Sequence, residues 1–183
     1  KKNQKIYQIA TDCVFLGEKG NYTENDLHDC KDAYGLSKSK GEVKNKNFFN
    51  IRCSIIGKEL NSNISLYEWL MKTPKNKIIK GFSNHFWNGV STKIFSIILN
   101  KIIVHNVNIP NVLHLVPKDR LSKYDLLKCL IKFNKKRITI LKFKHKIKID
   151  RTLSTNYKQL NYKIWKLSLK KQLTIREILK NYI

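Results

Sequence analysis

Two short apolar runs near the start of the chain, at residues 6–11 and 48–57, are flanked by polar residues. Their length and composition are typical of β-strands. Between them lie an acidic, turn-rich loop and a segment of helical length that contains Tyr34. Strand, loop, helix and strand in this order predict an α/β unit with two parallel strands.

The remaining sequence predicts helices and short strands in alternation. The predicted helices cover residues 64–71, about 92–104 and 123–133, with a last helix from Thr174, and the predicted strands cover residues 78–82, 112–116 and 138–143. Ser91 or Thr92 can cap the second helix, and Ser122 can cap the third. Glu177 completes a capping box with Thr174.

Candidate chemistry is concentrated at three positions of the first α/β unit. Thr11 ends the first predicted strand, and Tyr34 and Lys38 stand about one helical turn apart, so they project from the same face. An ammonium close to a phenol favours the phenolate, so we expect Lys38 to lower the pKa of Tyr34. The Thr11 hydroxyl can hold a carbonyl oxygen in line with that phenol. Together the three residues predict a proton donor for a carbonyl that receives hydride.

A tyrosine followed four residues later by lysine is a weak signal in a chain rich in lysine. Tyr124 and Tyr162 show the same spacing, Tyr124 in an amphipathic helical pattern and Tyr162 in a basic stretch. Tyr34 differs because it lies between two predicted strands and follows a strand that ends in a threonine. We therefore select Tyr34 as the candidate proton donor.

Several runs, in this order, resemble the extended short-chain dehydrogenase/reductases, and are most similar to the dTDP-4-dehydrorhamnose reductase family of nucleotide-sugar enzymes. They are ATDCVFLG at 10–17, GNYTE at 20–24, YGLSKSKGE at 34–42, IRCSIIG at 51–57, NHFWNGVST at 84–92 and LHL at 113–115. The resemblance covers most of the chain. It departs from the family at the amino terminus, where full-length members carry a Gly-rich phosphate loop.

The resemblance implies an α/β fold that is the C-terminal part of a Rossmann-type parallel sheet, with an appended small α/β substrate-binding region. Residues 1–60 would be the second half of the dinucleotide-binding domain. Residues 61–183 would be mainly substrate-binding, with the helix at about 92–104 packing back on the sheet. Gly17 and Gly20, the one close glycine pair, are interpreted as turn residues. We expect the chain to lack the N-terminal Gly-rich half, as a fragment or truncated reading frame would.

The resemblance also implies the activity and its residues. The activity is reduction by NADPH or NADH of a keto group on a nucleotide-linked deoxysugar, in the synthesis of surface polysaccharide precursors. The implied catalytic residues are Thr11, Tyr34 and Lys38, the implied cofactor contacts are Tyr34, Lys38, Ser54 and Ile55, and the implied substrate contacts are Asn84, His85, Trp87 and Asn88, in a turn-like stretch. No residues specify a metal ion. Asp12 is expected to brace its loop, and Arg52 is either a paired structural residue or a ligand contact.

Three other functions stay open. A nucleotide-sugar epimerase or dehydratase of the same superfamily would use the same Tyr34 and Lys38 but keep its cofactor through the cycle. A non-catalytic relative, such as a regulatory subunit of methionine adenosyltransferase, would not need them. Nucleic-acid binding is the third, because the formal net charge is +24.

The net positive charge comes entirely from residues 43–183. Residues 1–42 carry seven basic and seven acidic side chains, whereas residues 43–183 carry 30 basic and six acidic ones. Of the basic residues 32 are Lys and five are Arg, and they are dispersed, which favours coding bias over a specific nucleic-acid partner. A contribution to holding the diphosphate of a nucleotide sugar is the other interpretation.

The cysteines and the apolar stretches indicate the cellular compartment. Cys13, Cys30, Cys53 and Cys129 show neither a C-x-x-C pair nor zinc-ligand spacing, which suits a reducing cytoplasm. We see no signal peptide, and the most apolar stretch, at 94–104, is too short to cross a bilayer. We therefore expect a cytoplasmic protein without a membrane partner, with a homodimer left open.

Overall fold

The computed structural model describes residues 4–61 and 64–183. The strands are β1 Ile6–Ala10, β2 Phe48–Arg52, β3 Ile55–Ile56, β4 Ile78–Phe82, β5 His85–Trp87, β6 Val90–Ser91, β7 Val112–His114, β8 Leu121–Ser122, β9 Thr139–Phe143 and β10 Ile149–Asp150. The helices are α1 Ala33–Gly41, α2 Leu66–Lys72, α3 Thr92–Val104, α4 Lys123–Phe133, α5 Lys158–Leu169 and α6 Ile175–Asn181. One turn of 3-10 helix lies at Asp12–Val14.

The largest sheet is parallel, in the order β1–β2–β7. Ile9 pairs with Ile51 and Ile51 with Leu113, so the three strands end at the same edge. The predicted α/β class and the predicted parallel pair of strands are both confirmed. The carboxyl ends of parallel strands are where α/β proteins bind ligands, and this edge carries Thr11.

One face of this sheet is covered by α3 and α5. Phe49 and Ile51 of β2 share a buried cluster with Ile98 of α3 and with Ile164 and Trp165 of α5. Burying an aliphatic side chain of this size stabilises the fold by about 1.5–3 kcal/mol. The sheet thus draws β7, α3 and α5 from the chain beyond residue 61, so a division of the chain by sequence near residue 60 stays a prediction.

A second cluster lies between the two-stranded β4–β9 sheet and helices α2, α4 and α6. Leu70, Leu126, Leu130 and Leu179 are buried in it. The helix caps follow the predictions: Ser122 accepts from the Asp125 amide, and the predicted capping box at the start of α6 is present. Of the two candidates at α3, Ser91 is the cap.

Three predicted elements are wrong in detail. The run at 48–57 is two strands: β2 ends at Arg52, and β3 pairs with β6 in a separate sheet, where the Val90 amide donates to the Ser54 carbonyl. The strand predicted at 112–116 ends at His114, and Leu115 only donates its amide to Arg52. The turn-like stretch 84–88 contains β5, which is held between β8 and β10.

Candidate active site

The turn after β1 is built around Thr11. Its side-chain oxygen accepts from the Cys13 amide at 3.2 Å and lies 3.3 Å from an Asp12 carboxylate oxygen, to which its hydroxyl donates. The Phe15 amide donates to the Asp12 carbonyl, which closes the turn. The fixed turn therefore holds the Thr11 hydroxyl at the carboxyl end of the sheet, and Asp12 braces it.

Helix α1 is pressed directly against this turn. Asp32 caps the helix by accepting from the Gly35 amide at 2.8 Å. A Cβ atom on Gly35 would lie 2.5 Å from the Cys13 carbonyl oxygen, closer than such atoms ever approach. Only glycine therefore allows the contact that brings Tyr34 beside Thr11.

We predict that Gly35→Ala separates α1 from the turn. The backbone at Cys13 cannot move aside as a side chain would, so the variant should lose about 1–3 kcal/mol of unfolding free energy. Gly41→Ala is the matched control in the same helix, because its Cβ atom would meet the Gln8 side chain at an ordinary 3.6 Å. Urea denaturation should show no loss for the control; equal losses would contradict the account.

A cavity of about 230 Å³ opens at this edge of the sheet. Its walls are Ile9, Ala10, Thr11, Asp12, Cys13, Tyr34, Lys38, Cys53, Ser54 and Ile55. All five residues predicted as catalytic or cofactor contacts therefore line one space. Their roles in a reaction stay predictions.

The predicted effect of Lys38 on Tyr34 is wrong in this structure. Burial raises the pKa of Tyr34, ionisation of the neighbouring Cys13 thiol would add to the rise, and an interaction with the Thr11 hydroxyl opposes it. The Lys38 ammonium instead donates to the Ile9 carbonyl at 3.3 Å. The phenol is therefore held in its protonated form, which is the form that can donate a proton.

Two cations, Lys123 and Arg151, lie near Asp12, which lines the cavity. Burial raises the pKa of the Asp12 carboxyl, and the nearby cations Lys123 and Arg151 act against that rise. Burial likewise lowers the pKa of the Lys123 ammonium, against the attraction of Asp12. Arg151 donates to the Leu16 carbonyl at 3.3 Å and to the Cys13 sulfur at 3.8 Å.

Sequence reasoning missed Lys123 and Arg151 as neighbours of Thr11. One signal was present for Lys123: the predicted cap at Ser122 places this lysine in the first turn of a helix, where the helix dipole disfavours a cation. A cation at such a position suggests a carboxylate partner elsewhere in the fold. No comparable signal marks Arg151.

The four predicted substrate contacts do not line this cavity. Asn84 binds the backbone of His145 through both amide atoms, at 2.8 and 3.0 Å, and Asn88 binds the backbone of Leu153 in the same way, at 2.6 and 2.9 Å. The His85 Nε2 atom lies 3.2 Å from the Ile147 carbonyl oxygen. These three contacts fasten the segment 145–153 to β5 and its flanks.

Trp87 is connected to the cavity indirectly. Its indole nitrogen donates to the Ser54 hydroxyl at 2.8 Å, and the ring is buried. The Lys123 ammonium lies 6.0 Å from the ring centroid. Trp87 thus links the segment predicted to bind substrate to a residue predicted to bind cofactor.

Arg52 is a paired structural residue, one of the two alternatives left open by the sequence. Its guanidinium donates to both carboxylate oxygens of Glu42, at 2.7 and 2.6 Å, and both side chains are more than nine-tenths buried. It also lies 3.1 Å from Nε2 of buried His114. The pair ties β2 to the end of α1 and so fixes the helix that carries Tyr34.

His114 is held as a neutral imidazole. Its Nδ1 atom lies 2.8 Å from the Ser154 carbonyl, which can only accept, so Nδ1 carries the proton and Nε2 accepts from Arg52. Burial lowers the pKa of His114, because the charged form would lose its hydration. Below a pH of about 6.5 the unfolded chain binds a proton here that the folded chain excludes.

Because the unfolded chain binds a proton at His114 that the folded chain excludes, the free energy of unfolding should fall as pH falls below about 6.5. The loss is up to about 1.4 kcal/mol per pH unit for one histidine. Burial lowers the pKa of His28 and His85 as well, so His114→Gln should remove only part of the slope. His105→Gln, at an exposed position, is the control. Denaturation midpoints between pH 5 and 8 that fall equally steeply for both variants would contradict this prediction.

The glycine pair Gly17 and Gly20 does not form a phosphate cradle. Both have positive φ, at 96° and 75°, as tight turns require. A Cβ atom on Gly20 would meet the buried Asp150 carboxylate at 2.5 Å, so the space is filled by a negative group. The interpretation of this pair as turn residues is confirmed, and residues 4–61 and 64–183 offer no glycine-rich loop for a pyrophosphate.

Two further properties bear on the function classes. Within the described residues there is no group of three or more His, Cys, Asp or Glu side chains placed to hold a metal ion. No helix in the same part of the chain has the length and hydropathy to cross a membrane.

The fold is similar to the folds of several solved nucleotide-sugar enzymes. No family model matches the chain, and no curated protein does. The chain is similar in structure to dTDP-4-dehydrorhamnose reductase from Yersinia enterocolitica, with a TM-score of 0.75, 17% identity, and 97% of this chain and 65% of that chain covered. It is also similar to dTDP-4-dehydrorhamnose reductase from Bacillus anthracis in complex with NADP, with a TM-score of 0.72, 20% identity, and 97% of this chain and 64% of that chain covered.

Enzymes of other reaction types share the fold. A dTDP-glucose 4,6-dehydratase from Bacillus anthracis in complex with NAD matches with a TM-score of 0.63, 15% identity, and 96% of this chain and 59% of that chain covered. At such identities the similarity establishes the fold, and the resemblance seen in the sequence is confirmed at that level. The chain spans about two-thirds of the length of the reductases it matches.

Proposed function

We propose that the chain carries the catalytic centre of a reductase that moves hydride from NADPH or NADH to a keto group of a nucleotide-linked deoxysugar. The supporting observation is the cavity that holds Thr11, Tyr34 and Lys38 together at the carboxyl end of β1. dTDP-4-dehydrorhamnose is the first substrate to test, since reductases named for it have this fold. The proposal concerns the whole protein, because the chain spans about two-thirds of those enzymes.

In the proposed reaction the substrate carbonyl oxygen lies between the Thr11 hydroxyl and the Tyr34 phenol. The dihydronicotinamide ring supplies a hydride to the carbonyl carbon when the cofactor is bound. Tyr34, kept protonated by burial, donates its proton to the oxygen as negative charge develops there. Lys38 would first have to leave the Ile9 carbonyl, and its ammonium would then be the ion partner of the phenolate. The sugar gains one hydride and one proton, and the phenolate is reprotonated from solvent.

The described residues fit the nicotinamide end of the cofactor. Ser54 and Ile55 line the cavity together with Tyr34, and Lys38, once free of the Ile9 carbonyl, would be the residue that holds a ribose hydroxyl. These residues would orient the ring toward Thr11. The described residues contain no binding loop for the pyrophosphate, so we assign to this chain the nicotinamide end of the cofactor alone.

The proposal places the nucleotide sugar on the side of the cavity nearest Trp87. Partly buried His85 would contact the sugar nucleotide. Trp87 shapes the wall through Ser54, while Asn84 and Asn88 fasten the ends of the segment 145–153 beside β5. A 4-keto-6-deoxy sugar on uridine diphosphate is the alternative substrate within the same class.

An epimerase or dehydratase is the second candidate function. It is favoured by the solved structures of both kinds that share the fold, including UDP-glucuronic acid 4-epimerase from Bacillus cereus with NAD. Such an enzyme would return the hydride to its substrate.

We place the reaction in the cytoplasm, in the supply of surface polysaccharide precursors, because all four cysteines are free.

The test is a stoichiometric assay of the complete protein with NADPH and dTDP-4-dehydrorhamnose. A reductase should oxidise one NADPH for each sugar reduced, followed at 340 nm and by chromatography of the nucleotide sugar. Conversion of the sugar without net oxidation of NADPH would favour the epimerase or dehydratase. Neither oxidation nor conversion, with this sugar or its uridine diphosphate counterpart, would contradict the proposal.

A further inference from the structure

The parallel ribbon formed by β4 and β9 has one packed face. Ile79 and Ile140 are register partners that turn toward α4 and join its core cluster. Gly81 follows on the same face, where a Cβ atom would lie 2.9 Å from the Tyr124 backbone. The helix therefore lies directly on this side of the ribbon.

The opposite face of the ribbon is open and apolar. Its register pairs are Ile78 with Thr139, Lys80 with Leu141 and Phe82 with Phe143, and we call these six residues the ribbon face. Ile78 and Leu141 are 60% and 52% exposed. These two aliphatic side chains lie diagonally across neighbouring strands and supply the exposed apolar surface of the ribbon face.

The two segments that carry the ribbon face are rich in lysine. Residues 72–82 carry four lysines, and residues 135–148 carry six lysines and one arginine, with no Asp or Glu in either segment. Lys144, Lys146 and Lys148 alternate along the loop after β9, and Ile147 between them is 65% exposed. The charge calls for an anionic partner and disfavours a second copy of the chain, whose ribbon would repel this one.

We propose that the ribbon face and the loop 144–148 dock on an anionic lipid bilayer. Exposed aliphatic side chains rimmed by lysines match an interface that is apolar below its headgroups and negative at them. Ile78, Leu141 and Ile147 enter the headgroup region, and the lysines contact lipid phosphates.

The same surface fits single-stranded nucleic acid less well. Binding of that kind relies on free aromatic faces on which bases stack. Here the Phe82 ring packs against His85, Phe143 and His145, with centroids 4.5, 5.8 and 5.5 Å away, and the Lys80 ammonium lies 4.8 Å from the Phe143 centroid. The Phe82 and Phe143 rings are partly buried by these contacts, and the exposed side chains, Ile78 and Leu141, are aliphatic.

The test is sedimentation of the protein with vesicles of phosphatidylcholine alone or with 30% phosphatidylglycerol at 0.15 M salt. We expect binding to the anionic vesicles only. Replacing Lys80, Lys144 and Lys146 by Gln should weaken binding about 100-fold, at roughly fivefold for each lysine. The matched control replaces Lys158, Lys163 and Lys166, three exposed lysines of α5, and should weaken binding no more than about fivefold.

A second pair of variants separates docking from general charge attraction. Ile78→Ser with Leu141→Ser keeps every charge and should weaken vesicle binding about tenfold, whereas Leu167→Ser on exposed α5 should not. Circular dichroism confirms that each variant is folded. Equal losses in the two lysine triples, no effect of the serine pair, or no binding to anionic vesicles would overturn the proposal. So would binding of a single-stranded oligonucleotide that depends on the ribbon lysines while vesicle binding does not.

Discussion

Tyr34→Phe should lower turnover by about 10²–10⁴-fold, the range usual for removal of a positioned general acid. The substitution deletes one oxygen atom at the mouth of the cavity and leaves the ring in place. Tyr34 is only partly buried, with 56% of the residue exposed, so stability should change little. Initial rates of NADPH oxidation with dTDP-4-dehydrorhamnose measure the effect.

Tyr162→Phe is the matched control for this experiment. Tyr162 also has a lysine four residues later, Lys166, and its side chain is 51% exposed against 56% for Tyr34. It lies on α5, away from the residues that line the cavity. Loss of activity in both variants, or in neither, would contradict the assignment of Tyr34 as the proton donor.

Glu42→Gln should be the most destabilising single change predicted here, at about 3–5 kcal/mol. The substitution leaves the Arg52 guanidinium buried without a negative partner, and it removes one of two hydrogen bonds. Since domains of this size are stable by about 5–15 kcal/mol, the variant should unfold at much lower urea concentration. The shift in the urea midpoint gives the difference.

An exposed ion pair provides the control for Glu42. Lys19 pairs with Asp26 at the surface, so Lys19→Met should cost about 1 kcal/mol or less. Glu42→Gln in combination with Arg52→Met should recover part of the lost stability, because the unpaired charge is then gone. A cost for Glu42→Gln as small as that for Lys19→Met would show that the buried pair is not what holds β2 to α1.

Elements whose signals are local could be predicted from the sequence. The strand before Thr11, the helix of Tyr34 and the caps at Ser122 and Thr174 depend on a few neighbouring residues, and the structure has all of them. The α/β order also accounts for the proximity of Thr11 and Tyr34, since the helix that follows a parallel strand begins at the carboxyl edge of the sheet.

Features that depend on distant contacts could not be predicted. Helix α5 was missed because lysines interrupt its apolar pattern, although Ile164 and Trp165 face the core. Lys123 and Arg151 reach the turn at Asp12 from more than 100 residues away in sequence. The predicted lowering of the Tyr34 pKa failed for a similar reason, because the burial of the phenol and the Ile9 carbonyl that receives Lys38 are products of the tertiary fold.

Isotope transfer gives the most direct test of carbonyl reduction at this cavity. NADPH with two deuterium atoms at C4 of the nicotinamide is supplied with dTDP-4-dehydrorhamnose, and the released nucleotide sugar is analysed by mass spectrometry. The account predicts a product that carries one deuterium at the former keto carbon with the complete wild-type protein, and almost none with Tyr34→Phe. A product without deuterium from active wild-type protein would contradict it.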